Sequence, residues 1–336
     1  MIILLGASGF IGTYLADELV KCKEPFVACG RNPRARAFFE RINVPWANVD
    51  LVKASDFERL PTKGVKAVVL LSAMVPANLA NYNPQHYIDI NVTGTLNALE
   101  YARRCGAEKF INTTSHSDVA GLWDCGRPIR EDDPRIIKLT GDHAVYIITK
   151  IAGLDLVGHY RQEFGMQTMS FRLPAVYGFG PHTEIFINGK LHITGFKRFI
   201  TCAMAGQPIE VWGDWTKGRD LVYVKDVVGA YLGAIESATA SGLYNIASGI
   251  RTSLEEEARG IAKVFSPEGL EVPVVNNPAK PNGIHTYLYD IAKARKDLGY
   301  TVKYPYVRML EDYKLEMRLK RFPHLISRED KTQAIP

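Results

Sequence analysis

The 336-residue chain is 46% hydrophobic and 23% charged, enough to bury the core of one large domain or of two closely joined ones. Its net charge of +5 is mild and its basic residues are scattered, which excludes nucleic acid as an expected partner and leaves room for a local anion pocket. Cys22, Cys29, Cys105, Cys125 and Cys202 form no C-x-x-C pair and read as free thiols of a reducing compartment. No apolar run approaches bilayer length, so a cytoplasmic protein without membrane contact or metal site is expected.

The first dozen residues, MIILLGASGFIG, read as strand, glycine turn and helix. Gly6 permits the tight turn, Gly9 lets the backbone approach a pyrophosphate, and Gly12 lets helix and strand pack closely. The open N–H groups of Ser8, Phe10 and Ile11 at the helix start suit phosphates. Phe26 to Cys29 is a second strand. An acidic residue at its end would bind the ribose hydroxyls of NAD; Gly30-Arg31-Asn32 stands there instead, and a guanidinium pairs with a 2′-phosphate. NADP is therefore expected over NAD, unless Arg31 stacks on the adenine. Val49-Asp50-Leu51 ends a third strand, with Asp50 near the adenine edge. The run from Lys66 to Ser72 is a fourth, after which Leu71, Ser72, Ala73 and, further on, Val75 would flank the cofactor and substrate.

From Pro84 to Arg104 the pattern is helical, with Ile88, Val92, Leu96 and Leu99 on one side. Asn91, a candidate cofactor-binding residue, interrupts that face and either finds a buried partner or lies at the surface. Lys109 to Ser117 is a strand with hydroxyls at its end (Thr113, Thr114, Ser115, Ser117). Trp123 to Gly141 reads as loop, and a helix over about 142–164 carries Tyr146-x-x-x-Lys150 on one face. A phenol is a poor base at neutral pH. An ammonium about 4 Å away lowers its pKa by up to roughly 4 kcal/mol of interaction, which brings proton exchange with a sugar hydroxyl into range. The same spacing recurs at Tyr289 and Lys293. Only Tyr146 follows a hydroxyl-rich strand end, so the second copy is expected to be surface helix decoration.

These residues resemble the extended short-chain dehydrogenases/reductases, in their nucleotide-sugar epimerase/dehydratase group. The likeness runs to about Leu319: GASGFIG at 6–12; Asn91-Val-Thr-Gly-Thr; Phe110-Ile-Asn-Thr-Thr-Ser; Tyr146-x-x-x-Lys150; Arg172-Leu-Pro-Ala-Val-Tyr-Gly; Gly213-Asp214; Arg219-Asp220-Leu-Val-Tyr-Val-Lys-Asp226-Val; Tyr244-Asn-Ile; and Asp290 to Tyr300. The resemblance implies an α/β, Rossmann-type doubly wound parallel sheet over 1–172 and a smaller, discontinuous substrate lobe over 173–322. A loose tail over 323–336 is expected from its polar composition. The resemblance also implies a homodimer built on residues 85–105 and 142–164.

For the site, the resemblance implies Tyr146 as general base, Lys150 on the nicotinamide ribose, and Ser115 as third member with Thr114 as its fallback. Pro174 and Val176 would lie near the nicotinamide, and Arg219 would hold a substrate diphosphate. Departures narrow the choice. Thr-Ser-His-Ser replaces the acidic pair that eliminates water in the dehydratases, which argues against 4,6-dehydration. Ala175 replaces the family's usual asparagine, and Trp215 a glycine, as lid or as packed loop residue. Gly283-Ile284-His285 resembles a stretch in UDP-sugar epimerases. His116 and His285 face substrate or are ordinary loop histidines. Base recognition is placed between Phe186 and Trp215.

The first reading is a nucleotide-sugar C4 epimerase working through a transient 4-keto sugar. The second is an NADPH-dependent reductase of a nucleotide-linked 4-keto sugar or another carbonyl. The third, a non-catalytic dinucleotide-binding regulator, is disfavoured by the intact Ser115/Tyr146/Lys150 set.

Overall fold

The computed structural model describes residues 1–76, 82–141, 143–181, 183–187 and 190–325. Strand β1 (Ile2–Leu5) is buried along its whole length, as an unbroken apolar run must be when helices cover both faces of a parallel sheet. It passes into α1 (Phe10–Lys21), then β2 (Phe26–Gly30), α2 (Pro33–Arg41), β3 (Trp46–Asn48) and β4 (Ala67–Leu70). Asn32 caps α2 by accepting from the N–H groups of Arg34 and Ala35, and Pro33 occupies the first helical position, where no N–H is needed.

The expected helix from Pro84 to Arg104 is interrupted. It comprises α3 (Pro84–Ile88), a wider π turn (Asp89–Thr93) and α4 (Gly94–Arg104). The π turn re-aims the face at Asn91, which is buried, while Ile88 and Leu96 are exposed and Leu99 is buried. A single periodicity of 3.6 across that segment was therefore the wrong template.

Strand β5 (Lys109–Ser115), helix α5 (Ala144–Phe164) and strand β6 (Gln167–Leu173) follow; Asp142 lies outside the described residues. The segment between β5 and α5 is mostly irregular, as expected, after a short 3₁₀ stretch over His116–Leu122. The C-terminal half adds β7 (Val176–Tyr177), β8 (Glu184–Ile187), β9 (Lys190–Ile193), α6 (Gly195–Met204), β10 (Ile209–Trp212), β11 (Gly218–Asp220), β12 (Val222–Tyr223) and α7 (Val224–Glu236). It ends with β13 (Gly242–Asn245), β14 (Arg251–Ser253), α8 (Leu254–Phe265), β15 (Val274–Asn277), α9 (Ala292–Leu298) and α10 (Tyr306–Leu319).

Seven strands form one parallel sheet in the order β13-β6-β5-β4-β1-β2-β3. The winding reverses between β1 and β4, so a crevice opens beyond their carboxyl ends, where ligands bind in such sheets. Strand β13 brings the chain back to the sheet after the excursion through β7 to β12, α6 and α7. The tail is not loose from its start. Phe322 packs edge-on against Tyr14, and His324 and Leu325 are buried, with His324 Nε2 2.9 Å from Thr13 Oγ1. A polar-looking segment is thus anchored by three side chains that fit a gap beside α1; residues 326–336 lie outside the described residues. Among the described residues no helix is long and apolar enough to cross a membrane.

Candidate active site

One cavity of about 1790 Å³ runs across the carboxyl ends of β1, β4, β5 and β6 and on between the lobes. Gly6, Ser8, Gly9, Phe10, Ile11 and Gly12 line its first end, with Arg31, Asn32, Asp50 and Leu51 beside them and Leu71, Ser72, Ala73 and Val75 opposite. Thr114, Ser115, His116, Tyr146, Lys150, Pro174, Val176 and Arg219 line the remainder. Every sequence-proposed site residue except Asn91 therefore contributes to one wall or another.

The glycine turn has the shape a dinucleotide pyrophosphate requires. Gly6 has φ +95°, and a Cβ there would stand 2.6 Å from Ser72 N. A Cβ on Gly12 would stand 2.2 Å from Gly6 O, so helix and turn touch backbone to backbone. At Gly9 a Cβ would meet only Gly6 O, at 3.3 Å. Helix α1 follows its cap residue Gly9 with no side-chain cap and no acidic residue in its first turn, so its positive dipole end is not offset by a side chain and suits an anion. These residues fit a bound dinucleotide.

Asn91 stands behind the wall. Its side-chain oxygen accepts from Met74 N at 2.8 Å, and its amide donates to Met74 O and Thr149 Oγ1, both at 3.1 Å. It pins the segment after β4 against α5, a positioning role rather than a ligand contact.

Ser115, Tyr146 and Lys150 line the same cavity, with Ser115 hydrogen-bonded to Tyr146. A hydrogen bond from Ser115 favours the Tyr146 phenolate, but burial outweighs it and raises the phenol above its ordinary value, with a smaller push from Asp118. This reverses the expected lowering by Lys150. The same burial drives Lys150 down to about 8, because an ammonium without a carboxylate partner is costly to desolvate. Thr114 lines the same cavity, but its Oγ1 is buried without a hydrogen-bond partner among the described residues, and it is Ser115 that bonds Tyr146.

Arg172, Arg219 and Arg31 are committed to carboxylates, whereas Arg198 of the cavity wall lies over the Trp212 ring. Arg172 donates to Asp118 Oδ2 from Nη2 and Nε at 2.9 and 3.2 Å, and from Nη1 to Asn245 Oδ1. Arg219 Nη2 donates to both oxygens of the buried Glu257, at 3.0 and 3.1 Å, and to Tyr177 Oη. The diphosphate expected at Arg219 would meet a guanidinium whose charge is already balanced. Nothing local flagged Glu257, which reads as one of three acids in the first turn of α8. Arg31 likewise pairs with Asp50 at 3.1 Å.

Tyr289 and Lys293 are not surface decoration. Tyr289 precedes α9, is buried, and bridges to Ile129; its hydroxyl meets His116 Nδ1 and Trp123 Nε1. Lys293 donates to Leu243 O at 2.7 Å and lies over the Tyr244 ring. His285 pairs with Asp124 at the cavity rim. Trp215 packs against the core with Arg259 over its ring and is absent from the cavity wall, so it is the packed residue and not a lid. The far end, between the lobes, is lined by Ile185, Phe196, Arg198 and Trp212, within the stretch expected to read the base.

A doubly wound sheet, a glycine cradle and a Ser–Tyr–Lys set in one crevice define an NAD(P)-dependent enzyme of the extended short-chain dehydrogenase/reductase type. The chain belongs to the NAD dependent epimerase/dehydratase family, whose model matches residues 2–247. It is 26% identical over 306 residues to a UDP-glucose 4-epimerase of Mycolicibacterium smegmatis, covering 89% of this chain and 92% of that one. It is also 26% identical to a UDP-glucuronate 4-epimerase of Thermodesulfobacterium geofontis, over 67% of this chain and 68% of the relative. In fold it resembles the Thermotoga maritima UDP-glucose 4-epimerase with UDP-glucose (TM-score 0.77, 21% identity, 95% and 99% of the two chains). It also resembles the Thermus thermophilus UDP-glucose 4-epimerase complex with NAD (TM-score 0.72, 22% identity, 94% and 98%).

Proposed function

We propose that the protein is a nucleotide-sugar 4-epimerase. The observation that carries this reading is the single cavity in which Ser115, Tyr146 and Lys150 stand between a dinucleotide cradle and a second lobe with room for a nucleotide sugar. The curated relatives that act on UDP-sugars support the substrate class. Tyr146 takes the proton of the sugar's 4-hydroxyl, with Ser115 aligning that oxygen by hydrogen bond. Lys150 holds the cofactor ribose; its positive charge favours the phenolate at the moment of transfer. Gly6, Gly9 and Gly12 would hold the pyrophosphate of a bound dinucleotide, and Pro174 and Val176 would flank its nicotinamide. The bound nicotinamide supplies the reversible hydride chemistry that a 4-keto intermediate requires.

We infer NAD as the cofactor, a departure from the NADP expected on Arg31 alone. The Asp50 carboxylate, 3.1 Å from that guanidinium, would repel a 2′-phosphate brought to the same place, and the solved Thermus thermophilus relative in complex with NAD supports the choice. The reductase reading loses support with it, since it rested on NADPH. Exposed Ile88, Leu96 and Ile148 on α3, α4 and α5 fit a homodimer through those helices, and five unpaired cysteines fit the cytoplasm.

The test is to denature the purified protein without added cofactor and weigh the released small molecules. Stoichiometric NAD supports an epimerase that retains its cofactor between half-reactions. A protein that releases none and binds NADPH far more tightly than NADH refutes the proposal in favour of the reductase.

A further inference from the structure

The cavity contains an imidazole whose protonation is dictated by its neighbours. Trp123 Nε1 lies 3.2 Å from Tyr289 Oη, and an indole N–H can only donate. Tyr289 is 2% exposed, so its own hydroxyl hydrogen also needs an acceptor within the protein. His116 Nδ1, at 3.1 Å, is the acceptor in reach. Were Nδ1 protonated instead, Tyr289 would accept twice and bury an unmatched O–H.

The ring is held in place as well as polarised. Trp123 lies against it with centroids 5.0 Å apart, and Tyr287 meets it edge-on at 5.1 Å. Burial, with Arg219 and Arg172 facing it, pushes its pKa down to about 3, so the imidazole is neutral at physiological pH. The other groups around it, Ser115, Asp118, Tyr287 and Tyr289, bring one carboxylate, already paired with Arg172. His116 lines the cavity next to Ser115, and among the described residues its ring hydrogen-bonds through Nδ1 and not through Nε2.

We propose that Trp123, Tyr289 and His116 form a directional hydrogen-bond relay that presents a neutral Nε2–H to an oxygen of an uncharged sugar in the cavity. Trp123 and Tyr289 are positioning residues; His116 touches substrate. The preference for an uncharged sugar follows from the bookkeeping of charge. Arg172 is paired with Asp118 and Arg219 with Glu257, and Lys150, the nearby cation without a carboxylate partner, is taken by the cofactor ribose in the epimerase reading, so none of the three is spare for a sugar carboxylate. The ligand half of the inference rests on the epimerase reading; the tautomer half does not.

The experiment uses the full-length protein labelled with ¹⁵N-histidine. Long-range ¹H–¹⁵N spectra should show His116 as the Nε2–H tautomer, unchanged from pH 5 to 9, and Tyr289→Phe should convert it to a tautomer mixture. In kinetics, Tyr289→Phe should lower kcat/KM for UDP-glucose about tenfold, the size expected for one lost orienting hydrogen bond. His116→Gln, which keeps an N–H near the Nε2 position, should retain more activity than His116→Ala. UDP-glucuronate should be at least about tenfold poorer than UDP-glucose. An Nδ1–H tautomer, a titration near pH 6.5, a spectrum indifferent to Tyr289→Phe, or equal use of the two substrates would overturn the proposal. An Nε2–H tautomer in a protein that turns over neither sugar supports the relay and overturns the epimerase reading instead.

Discussion

Asp118→Asn isolates the price of an unpaired charge at the back of the site. The side chains of Arg172 and Asp118 are 1% and 2% exposed, and Asp118 supplies two of the guanidinium's hydrogen bonds through one oxygen. The amide preserves shape and an acceptor but removes the negative charge. Arg172, always protonated, is then left with only neutral acceptors in Asn245 and the Arg130 carbonyl. Breaking a buried pair in this way costs about 3–5 kcal/mol. With an unfolding entropy of roughly 0.7 kcal/mol/K for a chain this long, that is a fall in Tm of about 4–7 °C. Differential scanning calorimetry with bound cofactor held constant reads it directly. Asp155→Asn is the control. It breaks a pair with Arg135 whose side chains are 39% and 57% exposed, and should move Tm by no more than about 1 °C. Equal small shifts for both variants would refute the argument that burial decides the value of the pair. A second consequence is chemical: Asp118 helps to hold the Tyr146 phenol up, so its neutralisation should move the acid limb of kcat towards lower pH.

Four further outcomes are expected. Gly12→Ala forces a Cβ into the backbone of the turn and should lower both stability, by about 1–3 kcal/mol, and cofactor affinity; Gly9→Ala should spare stability while weakening NAD binding, as calorimetry of the two variants would show. Lys150 has its folded pKa lowered to about 8, so below that pH burial of its charge works against folding, and the penalty lifts as pH rises from 8 towards the unfolded value near 10.4. Lys150→Met should therefore raise Tm at pH 7 while abolishing turnover, and the wild type's alkaline loss of kcat/KM near pH 8 should be absent from Lys150→Arg; a lower Tm for Lys150→Met would contradict the desolvation argument. Glu257→Gln releases the charge of Arg219 and should tighten UDP binding about tenfold at low salt, with the gain shrinking as salt rises; unchanged affinity would place the diphosphate away from Arg219. Ile148→Glu should yield a monomer in sedimentation if α5 forms the dimer face.

The amino-acid sequence determined what local geometry can determine. An apolar run, three glycines and a helical pattern specify strand, turn and helix wherever they fold, because backbone sterics and the 3.6-residue period act over a few residues. The same holds for Tyr146 and Lys150, four apart on one helix face, and for the order of strands that brings Ser115 to a strand end beside them. Only the tertiary structure decided which groups pay for burial and which are balanced. The π turn that buries Asn91 shifts the helix face by about one residue against a plain α-helix, a difference that hydrophobic spacing does not encode. Tyr146 and Tyr289 carry the same motif, yet the second works through its hydroxyl on a histidine 173 residues away. Arg219 looks like a free anion site until Glu257, 38 residues on, faces it in the core. Charge pairing, desolvation and tautomer choice depend on neighbours brought together by the whole fold, so they become visible only when the strands and lobes have closed around the cavity.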